Sequence, residues 1–170
     1  LNGDKKTGVS IFQLSEKLDS GPIIASTEVF IDRDITKGEL NSQLNTLGAK
    51  LLIETLPDLL GNKIFLKNQE NTKSTYAYKI TARVRKINFN DKVIKVYNHI
   101  RAFSPKPSAW FTYKNERIKI INCSMEICDS KPSFIINDQF HIGCANGKII
   151  PKIIQREGKR PMEINEFLRG

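Results

Sequence analysis

The sequence predicts an α/β segment followed by a β domain, within a chain of 170 residues. The first part alternates strand-like runs with a long helical pattern, and the last part consists of short β-branched and aromatic runs separated by turn residues. The charge differs as well. Residues 1–72 hold 8 Lys and Arg against 10 Asp and Glu, whereas residues 73–170 hold 19 against 8, a net charge of +11. This asymmetry predicts two domains with different tasks, the second of them facing a polyanion.

The α/β segment begins with two predicted strands, Val9–Leu14 and Ile23–Ile31, which are joined by a loop that contains Asp19. Residues 34–61 follow with leucines at helical spacing, and Thr36 forms a capping box with the glutamate three residues later. Two strands and one helix are too few to bury their apolar faces. We therefore expect this segment to be a fragment of a larger α/β domain.

A polar segment, residues 67–90, connects this part to a second predicted helix, Asp91–Phe103, with one apolar face that includes Ile94. Pro161 precedes a last short helix that is expected to begin at Met162. Five strand-like runs lie between the two helices, at residues 109–114, 116–127, 132–138, 140–147 and 148–157. Five short strands and a helix predict a small OB-like β-barrel.

Several classes of protein are disfavoured by the composition. No apolar run approaches the roughly 20 residues of a transmembrane helix, and no signal peptide opens the chain. Cys123, Cys128 and Cys144 lack the paired spacing of a zinc site, so we expect reduced thiols, no metal and a cytoplasmic protein. The chain lacks an initiator Met and opens with LNGDKKTG, which favours the C-terminal part of a longer protein.

The stretch SEKLDSGPII, residues 15–24, places Asp19 in a loop between two apolar runs. Asp before Ser-Gly-Pro is typical of a plain turn, because short polar side chains and glycine suit tight turns. A carboxylate at the tip of such a loop also suits a catalytic acid. The residues by themselves leave both interpretations open.

Three motifs together resemble one family. GDKKTGVSIFQL…LDSGPI, TYAYKI and IRAFSPKPSAW are similar to methionyl-tRNA formyltransferase, in the order expected for its C-terminal part. The first motif alone indicates only the wider folate-dependent formyltransferase group. The resemblance implies that residues 1–66 are the C-terminal part of a Rossmann-like catalytic domain. It also implies that residues 67–90 are a linker, and that residues 91–170 are an OB-like barrel that binds tRNA.

The same resemblance implies a chemistry. The formyl group of 10-formyltetrahydrofolate passes to the amino group of the initiator methionyl-tRNA, with Asp19 acting beside an Asn and a His located earlier in the chain. Acyl transfer needs donors directed at the developing oxyanion, and a carboxylate beside an imidazole favours its cationic form. The loop around Asp19 is expected to wrap the folate ring through Ser15, Glu16, Lys17, Leu18 and Gly21.

The sequence departs from the family pattern at several points. The N-x-H and SLLP motifs do not occur in the 170 residues, and His99 and His141 lack the flanking motif, so we expect this fragment alone to be inactive. The family normally has an acidic pair and an IDW-like triplet where TARVRKINF stands, and Lys106 stands where another aromatic residue is common. Both differences make the chain more cationic.

The basic second part supplies the candidate tRNA contacts, which are expected to hold the phosphate backbone without reading sequence. Burial of Trp110 beneath the prolines is favoured over base stacking. We expect a monomer that does not bind membranes. Two alternatives stay open: a non-catalytic RNA-binding module with a vestigial α/β segment, and a sugar-nucleotide or purine-pathway formyltransferase. The candidate contacts are Lys79, Arg83, Arg85, Lys86, Arg101, Lys106, Lys119, Lys152, Arg156, Lys159 and Arg160.

Overall fold

The computed structural model of the protein describes residues 1–61, 63–70, 72 and 74–169. Asn71 and Lys73 of the predicted linker and Gly170 of the predicted barrel therefore lie outside the described residues. The chain forms two compact units. We call Asp4–Arg33 with Glu39–Lys79 the α/β unit, and Leu1–Gly3, Asp34–Gly38 and Ile80–Gly170 together the β unit.

The α/β unit contains an antiparallel strand pair, β1 (Lys6–Phe12) and β2 (Ile23–Phe30), in which Val9 faces Thr27. Helix α1 (Lys37–Leu60) follows, and it begins one residue after Thr36 as the capping pattern predicts. No residue of α1 is buried. The two strands and the helix expected from the sequence are present, with β1 shifted from the expected Val9–Leu14 to Lys6–Phe12. The described residues of this unit include no buried apolar side chain.

The β unit is organised around helix α2 (Val93–Phe103), one face of which is buried. The expected apolar stripe is confirmed, because Val93, Val96, Tyr97, Ile100 and Phe103 are buried. Ile94 was wrongly included in that stripe and is 40% exposed. The buried positions follow the i, i+3, i+4, i+7 spacing from Val93, and Ile94 falls outside that spacing on the flank of the helix.

A five-stranded sheet packs against α2, with the strand order β3-β4-β6-β5 and with β7 paired to β6. β3 pairs only with β4 and β5 only with β6 among the named strands of the described chain. The sheet is therefore open, helices pack against it, and a closed OB-like barrel is not observed among the described residues. The strands are β3 (Ala109–Tyr113), β4 (Glu116–Glu126), β5 (Ile142–Cys144), β6 (Gly147–Arg156) and β7 (Pro161–Glu163).

Two predictions about the β unit were wrong. Residues 132–138 form no strand and make one isolated bridge, from Ile135 to Ile142. Ser133 has a φ of 65°, a left-handed conformation that does not fit an extended strand. Met162 lies in β7, and the last helix, α3, spans Ile164–Leu168.

The core of the β unit joins α2 to the inner face of the sheet. Ile118, Ile120, Ile149 and Ile154 are fully buried there. The end of the predicted linker also contributes to this core, since Ile87 and Phe89 are each only 6% exposed. A cluster of apolar side chains of this size is enough to hold the unit together. None of the described helices is long and apolar enough to cross a membrane.

Candidate functional site

The Asp19 loop, residues 13–22, joins β1 to β2 in the α/β unit. A backbone hydrogen bond from Gln13 N to Pro22 O, 3.0 Å long, closes its base. Asp19 has a φ of 49°, in the left-handed region that Asp and Asn tolerate better than most residues. Asp19 is therefore a turn residue by conformation, whatever its chemical role.

Side-chain hydrogen bonds fix the shape of the loop. The hydroxyls of Ser15 and Ser20 lie 2.9 Å apart, and each donates to the carbonyl of Lys17 over 3.1 Å. The side-chain amide of Gln69 donates to the carbonyls of Asp19 at 3.0 Å and Gly21 at 2.6 Å. Sequence analysis missed Gln69, because a single Gln far along the chain gives no local signal.

Gly21 is buried, and its position explains why no other residue suits it. A Cβ atom there would lie 1.7 Å from the carbonyl oxygen of Gln13. The close approach that glycine permits is therefore to the opposite side of the loop itself. Substitution would force the base of the loop open.

The carboxylate of Asp19 points to no protein partner. Within the described residues, no side chain forms a hydrogen bond or ion pair with it. Leu14 and Leu18 are 88% and 92% exposed, and Glu16 and Lys17 are exposed as well. The loop therefore exposes a carboxylate and two large apolar side chains to solvent.

The described part of the chain contains no group of three or more His, Cys, Asp or Glu arranged to hold a metal ion. Burial raises the pKa of the Cys123 and Cys144 thiols to about 12, so both are neutral thiols near pH 7. Burial also lowers the pKa values of His99 and His141. These side chains lie in the β unit, whereas Asp19 lies in the α/β unit.

The structure divides the candidate tRNA contacts into two groups. Arg156 forms a two-pronged pair with Glu116, at 2.8 and 2.7 Å, and this contact lowers the pKa of Glu116. Arg160 lies 3.4 Å from Glu166. The other three donate to uncharged oxygens. Arg85 donates to the carbonyls of Pro107 and Ser108, and Arg101 donates to the Asn98 side chain and the Ile35 carbonyl. Lys119 donates to the Gln155 side chain.

The second group is exposed and has no carboxylate partner among the described residues. These cations are free to meet a phosphate without first breaking an ion pair. Lys79 belongs to the α/β unit and the others to the β unit. The group consists of Lys79, Arg83, Lys86, Lys106, Lys152 and Lys159.

Trp110 is half-buried, and cations surround it. Its indole N–H donates to the carbonyl of Ala82 over 2.9 Å. The guanidinium carbon of Arg117 lies 4.3 Å from the ring centroid, and the Lys86 ammonium lies 5.6 Å from it. Trp110 thus anchors the basic segment around residue 82, a role that sequence analysis missed together with Arg117.

A shallow groove on the α/β unit has a volume of about 780 Å³ and lies along β2 and α1. Phe30, Leu47 and Lys50 are among its lining residues. The Asp19 loop does not line it. The groove therefore gives no support to a site at Asp19, and we assign it no role.

Family models match most of the chain. The model described as formyl transferase, C-terminal domain, matches residues 79–170, and the model described as formyl transferase matches residues 1–56. The first match covers much of the β unit and the second covers the Asp19 loop.

Curated relatives extend this similarity. The chain is 38% identical over 174 residues to a protein named methionyl-tRNA formyltransferase from Rhizorhabdus wittichii, and 38% identical over 170 residues to one from Wolbachia pipientis. Each alignment covers 100% of this chain and 55% of the relative. The chain thus spans about half the length of these curated relatives.

Solved structures with the same fold include HypX from Aquifex aeolicus in complex with tetrahydrofolic acid, with a TM-score of 0.77 and 16% identity. That match covers 98% of this chain and 30% of the other. An N-formyltransferase from Helicobacter canadensis gives a TM-score of 0.73 at 23% identity, and the match covers 91% and 57% of the two chains. These likenesses support the fold, and together with the model matches they show that the chain belongs to the formyltransferase family.

Proposed function

We propose that the protein to which these residues belong transfers a formyl group from 10-formyltetrahydrofolate to the amino group of methionyl-initiator-tRNA. The observation that carries this proposal is the Asp19 loop, held in shape by the Ser15–Ser20 hydroxyls and by Gln69, in a chain of this family. The similarity to proteins named methionyl-tRNA formyltransferase, which covers all of this chain and 55% of the relative, and the net charge of +11 on residues 73–170 support tRNA as the acceptor.

In this proposal Asp19 is the catalytic residue supplied by this chain. The bound folate supplies the formyl group. The Asp19 carboxylate accepts a hydrogen bond from a protonated imidazole and favours that charged form, while the rigid loop keeps the carboxylate in place before the substrates bind. Leu18 and the backbone of the loop from Ser15 to Gly21 contact the folate. The N-x-H motif is absent from these residues, so the fragment alone is expected to be inactive.

The acceptor binds to the cations that have no carboxylate partner, with Lys79 and Arg83 among them. Phosphate contacts of this kind orient the tRNA and do not read its sequence. An OB-like arrangement of the open sheet, a monomeric state and a cytoplasmic location belong to the same proposal.

A second candidate, N-formylation of a sugar, is favoured by one observation, the similar fold of the Helicobacter canadensis enzyme. A small sugar acceptor does not need a strongly basic surface. A non-catalytic RNA-binding module is the third candidate. Formylation assays that offer methionyl-tRNA, an amino sugar nucleotide or no acceptor separate the three candidates. Turnover with methionyl-tRNA supports the first, turnover with the sugar nucleotide supports the second, and no turnover with either supports the third.

The decisive variant is Asp19→Asn in the full-length enzyme. We expect kcat to fall by at least about a hundredfold, a typical contribution of an acid–base group, with little change in KM for tRNA. Asp32→Asn, at another exposed aspartate of the α/β unit, is the matched control and should retain activity. Near-normal turnover of Asp19→Asn would return Asp19 to the role of a turn residue.

The basic surface is tested through the salt dependence of tRNA binding by the 170-residue chain. Each lost phosphate contact reduces the slope of log affinity against log salt by roughly 0.7 to 0.9, so Arg83→Ala with Lys106→Ala should reduce it by about 1.4 to 1.8. Arg156→Ala with Arg160→Ala should reduce it less, because both side chains already pair with glutamates. Binding that is independent of salt would contradict the electrostatic model.

A further inference from the structure

A half-open cavity of about 260 Å³ lies in the β unit, between β3 and the segment that bridges to β5. Its buried lining includes Phe89 and Phe111, and its exposed lining includes Lys86, Thr112 and Ser133. The cavity exists because the sheet does not close. Residues 132–138 join β5 through one bridge and two backbone hydrogen bonds with Gly143, and the far edge of β3 is paired only at Trp110, by the segment around Lys86, among the described residues.

Aromatic rings form much of the wall. The Phe89 and Phe111 rings meet edge to face, with centroids 5.4 Å apart and an interplanar angle of 86°. Tyr113 also lines the cavity, and its ring is fixed edge to face against Phe140 at 4.9 Å. Rings held in this way present rigid apolar surface at little further loss of side-chain entropy.

The size and polarity of the cavity limit its ligand. Its volume lies just below the roughly 300 to 1,000 Å³ of pockets for drug-sized molecules, so a group of one or two rings fits it. The Ser133 hydroxyl can donate and accept a hydrogen bond, and the Lys86 ammonium can donate to an anion. A flat heterocycle that carries a phosphate matches all three properties.

We infer that this cavity takes one unpaired base of a bound RNA, with the Ser133 hydroxyl at the edge of the base and Lys86 at its phosphate. Lys86 belongs both to the cavity and to the cations that have no carboxylate partner, so the cavity is continuous with the basic surface. Stacking on protein rings is the usual way in which proteins bind unstacked bases. The inference rests on the proposed function, because it assumes an RNA on this surface.

The test compares two short single-stranded RNAs that bind to the 170-residue chain, one with 2-aminopurine at its centre and one with an abasic residue there. Phosphate contacts are the same for both, so the difference reports the base. We expect the base-carrying strand to bind roughly five- to 150-fold more tightly, the range found for loss of one base–aromatic stack, and its fluorescence to change on binding.

Ile135→Phe is the blocking variant, because half-buried Ile135 lines the cavity and a larger ring would occupy it. It should remove most of the difference in affinity between the base-carrying and abasic strands, and it should leave the affinity for the abasic strand unchanged. Ile150→Phe makes the same change at a half-buried residue outside the cavity lining, and it should change the affinity for neither the base-carrying strand nor the abasic strand. Should thermal unfolding show that Ile135→Phe does not fold, Tyr113→Leu removes a lining ring at similar bulk and tests the same point.

The possible outcomes are distinct. Equal affinities for the two strands would overturn the cavity inference while leaving RNA binding intact. A full base-dependent gain in a folded blocking variant would also overturn it, since the base would then stack elsewhere. Failure of both strands to bind would overturn RNA binding by the basic surface, and the cavity inference with it.

Discussion

The two units of this chain differ most in what they bury. All the buried apolar side chains of the described residues, from Ile35 to Ile154, belong to the β unit. Large apolar side chains of the α/β unit are exposed instead, including Ile53 at 69% and Leu60 at 80% of their surface. A sheet or helix must cover its apolar face with another layer. Among the described residues, α1 has no such layer over much of its surface.

The comparison also separates two sources of order. The β unit is ordered by a continuous apolar core. The Asp19 loop belongs to the unit that has no buried apolar side chain among the described residues, and its shape comes from side-chain hydrogen bonds of Ser15, Ser20 and Gln69. A candidate catalytic loop can therefore be held in place without burial. Its geometry should be more sensitive to polar substitutions than to changes in packing.

The largest expected effect is on stability. Ile154→Ala removes a fully buried side chain from the β unit and should lower its free energy of unfolding by about 2 to 5 kcal/mol. Leu52→Ala in α1, where the side chain is 45% exposed, should change stability by about 0.5 kcal/mol or less. Urea unfolding should be followed by tryptophan fluorescence, which reports only the β unit because Trp110 is the single Trp, and by far-UV circular dichroism. If Ile154→Ala and Leu52→Ala lowered the free energy of unfolding by equal amounts, the two units would not differ in how much their buried side chains contribute to stability.

A smaller effect is expected from two glycines. A Cβ at Gly147 would lie 2.3 Å from the Glu126 carbonyl oxygen and 2.7 Å from Val93 Cγ1, so Gly147→Ala should destabilise the β unit by about 1 to 3 kcal/mol. A Cβ at Gly48 in α1 would meet only the Val9 side chain, at 3.2 Å. Alanine favours a helix over glycine by about 1 kcal/mol, which should offset that contact. Thermal unfolding of both variants tests this, and a loss at Gly48 as large as at Gly147 would contradict it.

The elements with strong periodicity could be predicted from the sequence. Helix α2 and the long strands β4 and β6 show continuous patterns, and the break expected between residues 109–114 and 116–127 coincides with positive φ at Lys114 and Asn115. Residues 132–138 have the composition of a strand, but strand formation depends on a partner edge, and this segment finds only one bridge. Such a pairing is decided by tertiary structure.

Much of the candidate site was less accessible to sequence reasoning. Asp19 and its loop could be identified through the resemblance to a family, whereas Gln69 lies 50 positions away and contacts the loop only after folding. The ion pairs of Arg156 and Arg160 likewise depend on side chains that meet in space. The amino-acid composition locates a basic region, and only the folded structure shows which of its cations already pair with a carboxylate.

The smallest expected effect is a dependence of stability on pH that is confined to the β unit, which contains both histidines. Burial lowers the pKa of His99, although the Arg85 backbone acts in the opposite direction, and the ring packs edge to face on Phe103 at 5.0 Å. The unfolded chain therefore binds the proton more readily than the folded chain. The contribution is fully present above the unfolded pKa of about 6.5 and is lost as the pH falls below it.

Tryptophan-detected urea unfolding between about pH 7 and pH 5.5 should therefore show a free energy of unfolding that falls with pH, by no more than about 1.4 kcal/mol per pH unit for one proton. His99→Gln should reduce this slope. His141→Gln is the matched control and should reduce it less, since His141 is more exposed and lies 3.0 Å from the Asn137 amide. A stability that rises on acidification, or a slope that His99→Gln leaves unchanged, would show that His99 is not buried as a neutral ring. It would also weaken the contrast between the β unit, which has an apolar core, and the α/β unit, which has no buried apolar side chain among the described residues.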